Sequence, residues 1–492
     1  MGSIQEVTIT LQNSNNGSLS GDRRVLQKLF STFRLKHPSS FWVMRRGNTR
    51  WDGYIKYISE RGTFRIGLFP KIYHTLLEWG VKVNIKDLRL PVTIPKTVAR
   101  RVGDKILYPR QIEALERLVF NKVGGVPFLI EAADLAVGFG KSILFSALHE
   151  TFGRKLKTVL LLNDSDLFNQ FKSEIPPMLP GEDVRFIQGS KSVWGNFNVA
   201  MVQSVSQNLK KYATDLAQVD MVLIDEADII DNKTYKGVIE RLWNTKIRIG
   251  LSGTLYMSKL KKDEIHNMNV MSFIGEKVDE VKLIDQMNTG RATPVVVKMI
   301  ETSLIPTKVH VSYPDEYSEV ISYNEKAYQV SLDRALFNAR YGRFPMLIVT
   351  KYIDHCESLY EFYEKRLRGM GLGYKIAYVH HETKDRKRIL DNFREGKIDI
   401  LISTTIISRG KNFPTLKYLQ NAASMDSNEK AIQILGRLVR QHADKSKAYL
   451  DDIMYNGKYL SRHAKHRKSY YKNEKLKVIT VKEKKSNGDI SL

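Results

Sequence analysis

The sequence predicts an α/β protein in which two lobes built on parallel sheets follow a small basic α+β unit. Three observations carry this. Between residues 105 and 295, five short apolar runs (FLIEAA, TVLLLN, VAMVQS, MVLIDEAD and IRIGLSGT) alternate with helical stretches. They show little polar alternation, which is how strands buried on both faces of a helix-covered parallel sheet read. The pattern repeats after residue 340 as MLIVT, KIAYVH, IDILIST, YLQNAAS and KAYLDDI. The first hundred residues depart from it, with short strands, turns and interleaved cations.

The bulk numbers agree. At about 150 residues per domain, 492 residues suggest about three domains, and 42% apolar with 27% charged residues exclude a wholly disordered chain. The formal charge is +25, from 78 Lys and Arg against 53 Asp and Glu. It is uneven: residues 1–100 carry +11, 101–300 carry +2, 301–456 carry +4, and 457–485 carry +9. Two basic ends on a nearly neutral middle disfavour a small-molecule enzyme and favour a polyanion. Cys356 is the one cysteine, so neither an intrachain disulfide nor a cysteine zinc cluster can form. No apolar run approaches the roughly 18 residues of a membrane span. The first residues lack a secretion signal, and Glu6 breaks the myristoylation pattern. The expectation is an intracellular protein that binds nucleic acid and no membrane.

Taken in order, VTITL (7–11) alternates like a strand, and residues 21–36 read as a basic helix. FWVMRR, RWDGYIKYIS and TFRIGLF read as strands separated by turns at Gly47-Asn48 and Arg61-Gly62. A helix near 71–80 and a strand near 81–89 complete the unit, and Pro91 and Pro95 close it. The expected organisation is 1–100 as a basic α+β domain that binds nucleic acid, 101–295 as the first lobe, 296–456 as the second, and 457–492 as a basic tail. Two such α/β units in series suggest RecA-like or Rossmann-like lobes.

FLIEAADLAVGFGKSILFSALHE reads as strand, glycine loop, helix, and its centre Gly138-Phe139-Gly140-Lys141-Ser142 supplies the end of a P-loop. Glycines let backbone N–H groups close on phosphate oxygens, Lys141 meets the β and γ phosphates, and Ser142 ligates Mg²⁺. The helix N-terminus adds partial positive charge. Leu135 stands where the general motif begins with glycine. Further on, MVLIDEADII places Asp225 and Glu226 at the end of a buried strand, where α/β sheets carry their chemistry. Asp225 would hold Mg²⁺ and Glu226 would polarise the attacking water as general base. Together the two motifs imply ATP and Mg²⁺ as cofactors.

With these motifs in place, residues 105–450 resemble superfamily 2 helicases and translocases. Tyr108-Pro-Arg-Gln111 looks like the adenine-reading motif, with Gln111 on the adenine edge and Arg110 or Tyr108 stacked on it. LLNDSDLFNQF resembles motif Ia, VAMVQSV motif Ic, LSGT (251–254) motif III, LIVTKYIDHCESL motif IV, STTIISRGKN (403–412) motif V and QILGRLVR (433–440) motif VI. The resemblance implies nucleotide contact by Gly410, and arginine fingers at Arg437 and Arg440, which would share one helix face. It implies nucleic-acid contacts at Asn163, Gln203, Ser204, Thr254, Thr350, Thr404 and Thr405. Leu135, Val137, Asn412 and Asp164 depart from the usual pattern, and the alternative that Leu135, Val137 and Asn412 raise is a nucleic-acid binder with an inactive ATPase.

The tetrapeptide DEAD points toward RNA helicases, but SGT and QILGR replace that family's usual SAT and HRIGR. RWDGYIKYIS, FRIGLFP, GLSGTL and RALFNARYG resemble phage branch-migration helicases of the UvsW type and, more distantly, XPB-like helicases. That resemblance implies unwinding or branch migration of forks and Holliday junctions, in a bacterial host's cytoplasm if phage-encoded. An RNA remodeller with the same engine is the other reading. At the basic ends, Arg50 and Trp51 in the N-terminal unit, and Arg462, Lys465 and Arg467 in the tail, are the expected nucleic-acid contacts. His463 and His466 lack a spaced metal partner, so a structural or DNA role is expected.

Overall fold

A computed structural model describes residues 5–40, 51–256, 261–405, 413–426 and 435–483. FWVMRR with Arg50, and Gly410, lie outside the described residues. The chain divides into two compact units, one within 1–135 and 140–280, the other within 281–492 together with 136–139.

In the first unit, seven strands form one sheet in the order Val184–Ile187, Phe197–Met201, Thr158–Leu162, Met221–Asp225, Ile247–Ser252, Ile130–Leu135 and Lys277–Val281. The five expected apolar runs are its inner strands. The two edges, Val184–Ile187 and Lys277–Val281, are too short and polar to stand out in sequence. Neighbours pair in parallel, so the strands' C-terminal ends share one edge of the sheet. In parallel α/β sheets ligands bind along that edge.

The described N-terminal residues fall within the first compact unit. Strands Thr63–Arg65, Asn16–Gly21, Glu6–Leu11 and Lys82–Asp87 make a four-stranded mixed sheet. Val7, Ile9, Leu11, Leu29 and Phe64 pack in one apolar cluster with Phe128, Ile130 and Met268 of the lobe. Arg248, on strand Ile247–Ser252, is buried and donates through Nη2 to Asn15 Oδ1 (2.6 Å) and through Nη1 to Phe273 O (2.9 Å). Burial, with Arg65 nearby, pulls its pKa down to about 9. Asn16–Gly21 is a strand where sequence polarity suggested none. Gly17 and Leu19 are buried, Ser18 is half-buried, and Ser20 and Gly21 are exposed.

Three other expectations change here. The helix over 21–36 runs only from Arg23 to Thr32, capped by Asp22, whose Oδ1 accepts from Arg24 N and Val25 N. Arg34–Lys36 turns into a strand paired with Tyr54–Lys56. TFRIGLF stops being a strand after Arg65: Ile66–Leu68 form a short 3₁₀ turn, in which a Cβ on Gly67 would lie 2.2 Å from Met271 O.

The second unit holds another seven-stranded parallel sheet in the order Ile376–Val379, Ile400–Thr404, Met346–Thr350, Tyr418–Asn421, Ala448–Met454, Val295–Glu301 and Lys477–Lys482. Its last strand corrects the expectation of a basic tail. Residues 460–473 form a helix, and Lys477–Lys482 pairs along Val295–Glu301. The buried carboxylate of Glu316 starts that helix by accepting from the N–H groups of Lys458 (2.9 Å), Tyr459 (2.9 Å) and Leu460 (2.8 Å). An acidic group at a helix N-terminus complements its dipole. A Cβ on Gly457 would sit 2.5 Å from that carboxylate, so only glycine fits the approach.

Candidate nucleotide site and nucleic-acid surface

Strand Ile130–Leu135 ends and helix Lys141–Thr151 begins across a five-residue loop. Gly138 and Gly140 adopt φ of 87° and 90°, the left-handed region that glycine enters at little cost. At Gly140 a Cβ would approach Gln111 Nε2 to 2.7 Å. Gln111 is buried and its Oε1 accepts from Tyr108 N (3.3 Å), so this amide is lodged against the loop. Leu135, which departs from the glycine that begins the general motif, is fully buried and fills the core, as is Phe139, while Val137 is half-buried.

Asp225 ends its strand, almost buried, and its Oδ1 lies 2.8 Å from Lys141 Nζ. Burial alone would lower the Lys141 pKa, but Asp225, with Glu226 and Asp228, holds it above the ordinary value. Glu226 is a non-glycine residue in the left-handed region (φ 51°, ψ 52°). Such a conformation costs about 1–2 kcal/mol and concentrates at working sites. The fourth residue of the tetrapeptide, Asp228, is buried and accepts from Ser252 Oγ. Burial pushes its pKa up. Ser252 Oγ in turn accepts from Thr254 N (3.0 Å). The acidic strand end and the SGT turn are thus one hydrogen-bonded network, a link the order of motifs along the chain does not reveal.

Ser142 opens the helix beside Lys141 and is partly exposed. Arg110 is half-buried and ion-paired. Its Nη2 donates to Asp279 Oδ1 (2.6 Å) and Glu280 O (3.2 Å), and Asp279 also takes Arg117 Nη1 (2.7 Å). Asp279 lies on a polar edge strand and carries no motif, so nothing in the sequence pointed to it. Among the described residues no group of three or more His, Cys, Asp or Glu is arranged to hold a metal ion on its own. The carboxylate of Asp225, the Ser142 hydroxyl and the glycine cradle fit Mg²⁺ held jointly with phosphates.

In the second unit, residues 435–438 are helical and the helix ends before Arg440. Arg437 and Arg440 are both partly exposed, but they do not share a helix face as their spacing suggested, because the helix stops at Leu438 and Arg440 lies beyond it.

The expected nucleic-acid residues fall into two groups. Asn163 and Gln203 follow neighbouring strands, and Gln203 Nε2 donates to Asn163 O (3.2 Å). Ser204 Oγ accepts from Gly189 N (2.9 Å), and Thr254 and Thr405 are partly exposed. Asp164, out of place for phosphate contact, caps helix Ser165–Met178 by accepting from Leu167 N (2.9 Å). The second group is corrected by burial. Thr350 is fully buried, donating to Ser403 O (3.3 Å), and Thr404 is buried beside it. Arg467 has no exposed surface: its Nε and Nη2 grip Asp452, and Nη1 donates to Met425 O (2.7 Å). None of these three can meet a phosphate in this arrangement.

Trp51 packs edge-on to His37 and donates from Nε1 to Tyr54 O (3.1 Å), a scaffold role. On helix Leu460–Asn473, by contrast, Arg462, Lys465 and Lys472 are exposed along one stripe, opposite the buried Leu460, His463, Ala464, Arg467 and Tyr471. His463 and His466 are absorbed structurally, His466 by Asp426 and His463 against Ser424 O.

The glycine loop and the lysine–aspartate pair, on the first of two seven-stranded parallel sheets, are the features of a P-loop α/β protein. Residues 104–257 match the family of type III restriction enzyme res subunits, and residues 331–442 match the helicase conserved C-terminal domain. The chain is 24% identical over 368 residues to "Putative helicase 22" of Sulfolobus islandicus filamentous virus, covering 70% of this chain and 64% of that protein. It is 23% identical over 264 residues to the ATP-dependent DNA helicase uvsW of Enterobacteria phage T4, covering 52% and 49%. RNA helicases are also among the relatives. The solved structure of the ATP-dependent Type ISP restriction-modification enzyme LlaBIII bound to DNA shares the fold (TM-score 0.56, 12% identity, 84% of this chain and 34% of that one). The chain spans about half to two thirds of the length of the curated relatives it matches. It belongs to the superfamily 2 helicases.

Proposed function

We propose that the chain is an ATP-driven DNA helicase or translocase that remodels branched DNA. The observation that carries this is the Lys141–Asp225 pair, 2.8 Å apart, at the strand ends of a parallel sheet and beside two left-handed glycines. The loop amides and Lys141 take the phosphates, and Ser142 and Asp225 hold Mg²⁺. Bound there, MgATP supplies the free energy of phosphoryl transfer to water. Glu226, held by its strained backbone next to Asp225, orients that water and accepts its proton. Ser252 and Thr254 tie Asp228 to the SGT turn, so a shift at the acidic strand end is felt where the chain meets nucleic acid. Arg437 and Arg440 stabilise charge on the transferred phosphoryl group. The exposed stripe Arg462, Lys465 and Lys472 contributes phosphate contacts.

DNA is favoured over RNA by the SGT and QILGR motifs and by the likeness to phage branch-migration helicases. Lys141→Ala tests the ATPase assignment. Hydrolysis is expected to fall at least about a hundredfold while DNA affinity stays within about twofold; unaltered hydrolysis would sink the assignment.

A further inference from the structure

The segment that carries Arg437 and Arg440 ends in three consecutive carbonyls, and each is taken by a buried group from elsewhere in the second unit. Lys445 Nζ donates to Leu438 O (3.0 Å). Thr293 N donates to Val439 O (2.7 Å), and Thr293 Oγ1 to Arg440 O (3.0 Å). The same Lys445 ammonium also donates to Pro414 O (2.7 Å), just beyond the segment that resembles motif V. Lys445 is 6% exposed and Thr293 3% exposed.

Burying an ammonium against carbonyls alone is expensive, and a surface lysine would do no such thing. The location explains it. Leu438 is the last helical residue, and a cation at a helix C-terminus satisfies orphan carbonyls and complements the dipole. The cost shows in the group itself: burial, with Arg440 nearby, pushes the Lys445 pKa down to about 8. Thr293 leads directly into strand Val295–Glu301 and so fixes Val439 and Arg440 to the sheet. Neither residue belongs to a helicase motif, and Lys445 in QHADKSK reads in sequence as an ordinary surface lysine.

We infer that Lys445 and Thr293 are positioning residues that hold the arginine segment at a set height and angle, with Lys445 also joining it to the segment after motif V. The inference rests on the reading of Arg437 and Arg440 as phosphoryl-stabilising groups. Misplacement of a reacting group by about 1 Å can cost about a hundredfold in rate. The effect belongs on kcat, because the arginines act on charge that develops during transfer.

The test measures kcat and KM for ATP with saturating forked DNA in the full chain. Lys445→Met, which keeps the stem and removes the charge, is expected to lower kcat about 10- to 100-fold with KM within about threefold. Lys445→Arg, which can still donate to both carbonyls, is expected to restore most of kcat. Because Lys445→Met can also weaken folding, Thr293→Val and Thr293→Ser form a second pair of nearly equal size. Val is expected to lower kcat about 3- to 10-fold, and Ser to leave it within about twofold. A folded Lys445→Met with wild-type kcat, or Val and Ser variants that behave alike, overturns the inference. Arg440→Ala separates the two levels. If it retains full kcat, the arginine reading itself fails; if it loses kcat while Lys445→Met and Thr293→Val do not, only the clamp fails.

Discussion

Arg467→Met removes a guanidinium that the charge pattern assigns to DNA and the fold assigns to the core. In the structure Asp452 takes Arg467 through Nε (3.1 and 2.9 Å) and Nη2 (2.7 Å), and also Asn421 Nδ2 (3.1 Å) and Tyr471 Oη (2.8 Å). Burial alone would lower the Arg467 pKa, but Asp452 beside it raises it. Breaking one side of a buried pair costs about 3–5 kcal/mol, since the surviving charge is left without its partner. The two remaining donors on Asp452 place the expected loss near the low end, about 3–4 kcal/mol. For a unit of this size that corresponds to a fall in Tm of about 6–16 °C. Replacing both partners, as Arg467→Met with Asp452→Leu, is expected to recover more than half of it. Differential scanning calorimetry of the three proteins measures this, and a salt titration of DNA affinity runs alongside. A core role for Arg467 is ruled out if Arg467→Met melts within about 2 °C of the parent or lowers the salt slope by about one.

Three further outcomes follow from the same structure. Changing Arg462, Lys465 and Lys472 to Gln is expected to flatten the slope of log affinity against log salt by about 0.9 for each phosphate no longer neutralised, with Tm unchanged; an unaltered slope makes the stripe a bystander. Gly140→Ala, forced into φ of 90° with its Cβ near Gln111, is expected to lower kcat/KM for ATP at least tenfold, by about 1–2 kcal/mol of backbone strain plus displacement of Gln111; ATP turnover equal to wild type would show the loop is not a phosphate cradle. His266 is raised by its hydrogen bond to Asp231, so the folded state favours the protonated ring. The stability it contributes is full below about pH 6.5 and fades as pH rises through the raised folded value, so the Tm gap between wild type and His266→Gln is expected to be larger at about pH 6 than at about pH 8.5, and a pH-independent gap would contradict this.

Much of the two-sheet core was readable because buried parallel strands leave non-alternating apolar runs, and because the glycine loop and acidic strand end need particular residue types. The edge strands were not, since Val184–Ile187 and Lys277–Val281 bury little and follow no strong pattern. The second basic end misled for a physical reason. Helix Leu460–Asn473 spends one cation, Arg467, inside the lobe on a carboxylate 15 residues earlier in the chain, and net charge cannot tell a paired core arginine from an exposed one. Thr350 and Thr404 misled similarly. They hold the positions the family pattern suggests, yet both side chains are packed within the sheet. Asp279, Thr293 and Lys445 were invisible because their partners are reached only through tertiary structure, and in the case of Thr293 and Lys445 those partners are main-chain carbonyls.

The proposed function couples ATP hydrolysis to movement on branched DNA. The direct measurement is the rate of ATP hydrolysis, with strand displacement recorded in the same reactions, on forked DNA, a Holliday junction, linear duplex and RNA. Strong stimulation and ATP-dependent strand movement are expected on the fork and junction, weaker effects on linear duplex, and neither with Lys141→Ala. Equal or greater stimulation by RNA, or strand movement that persists in Lys141→Ala, would contradict the proposed function.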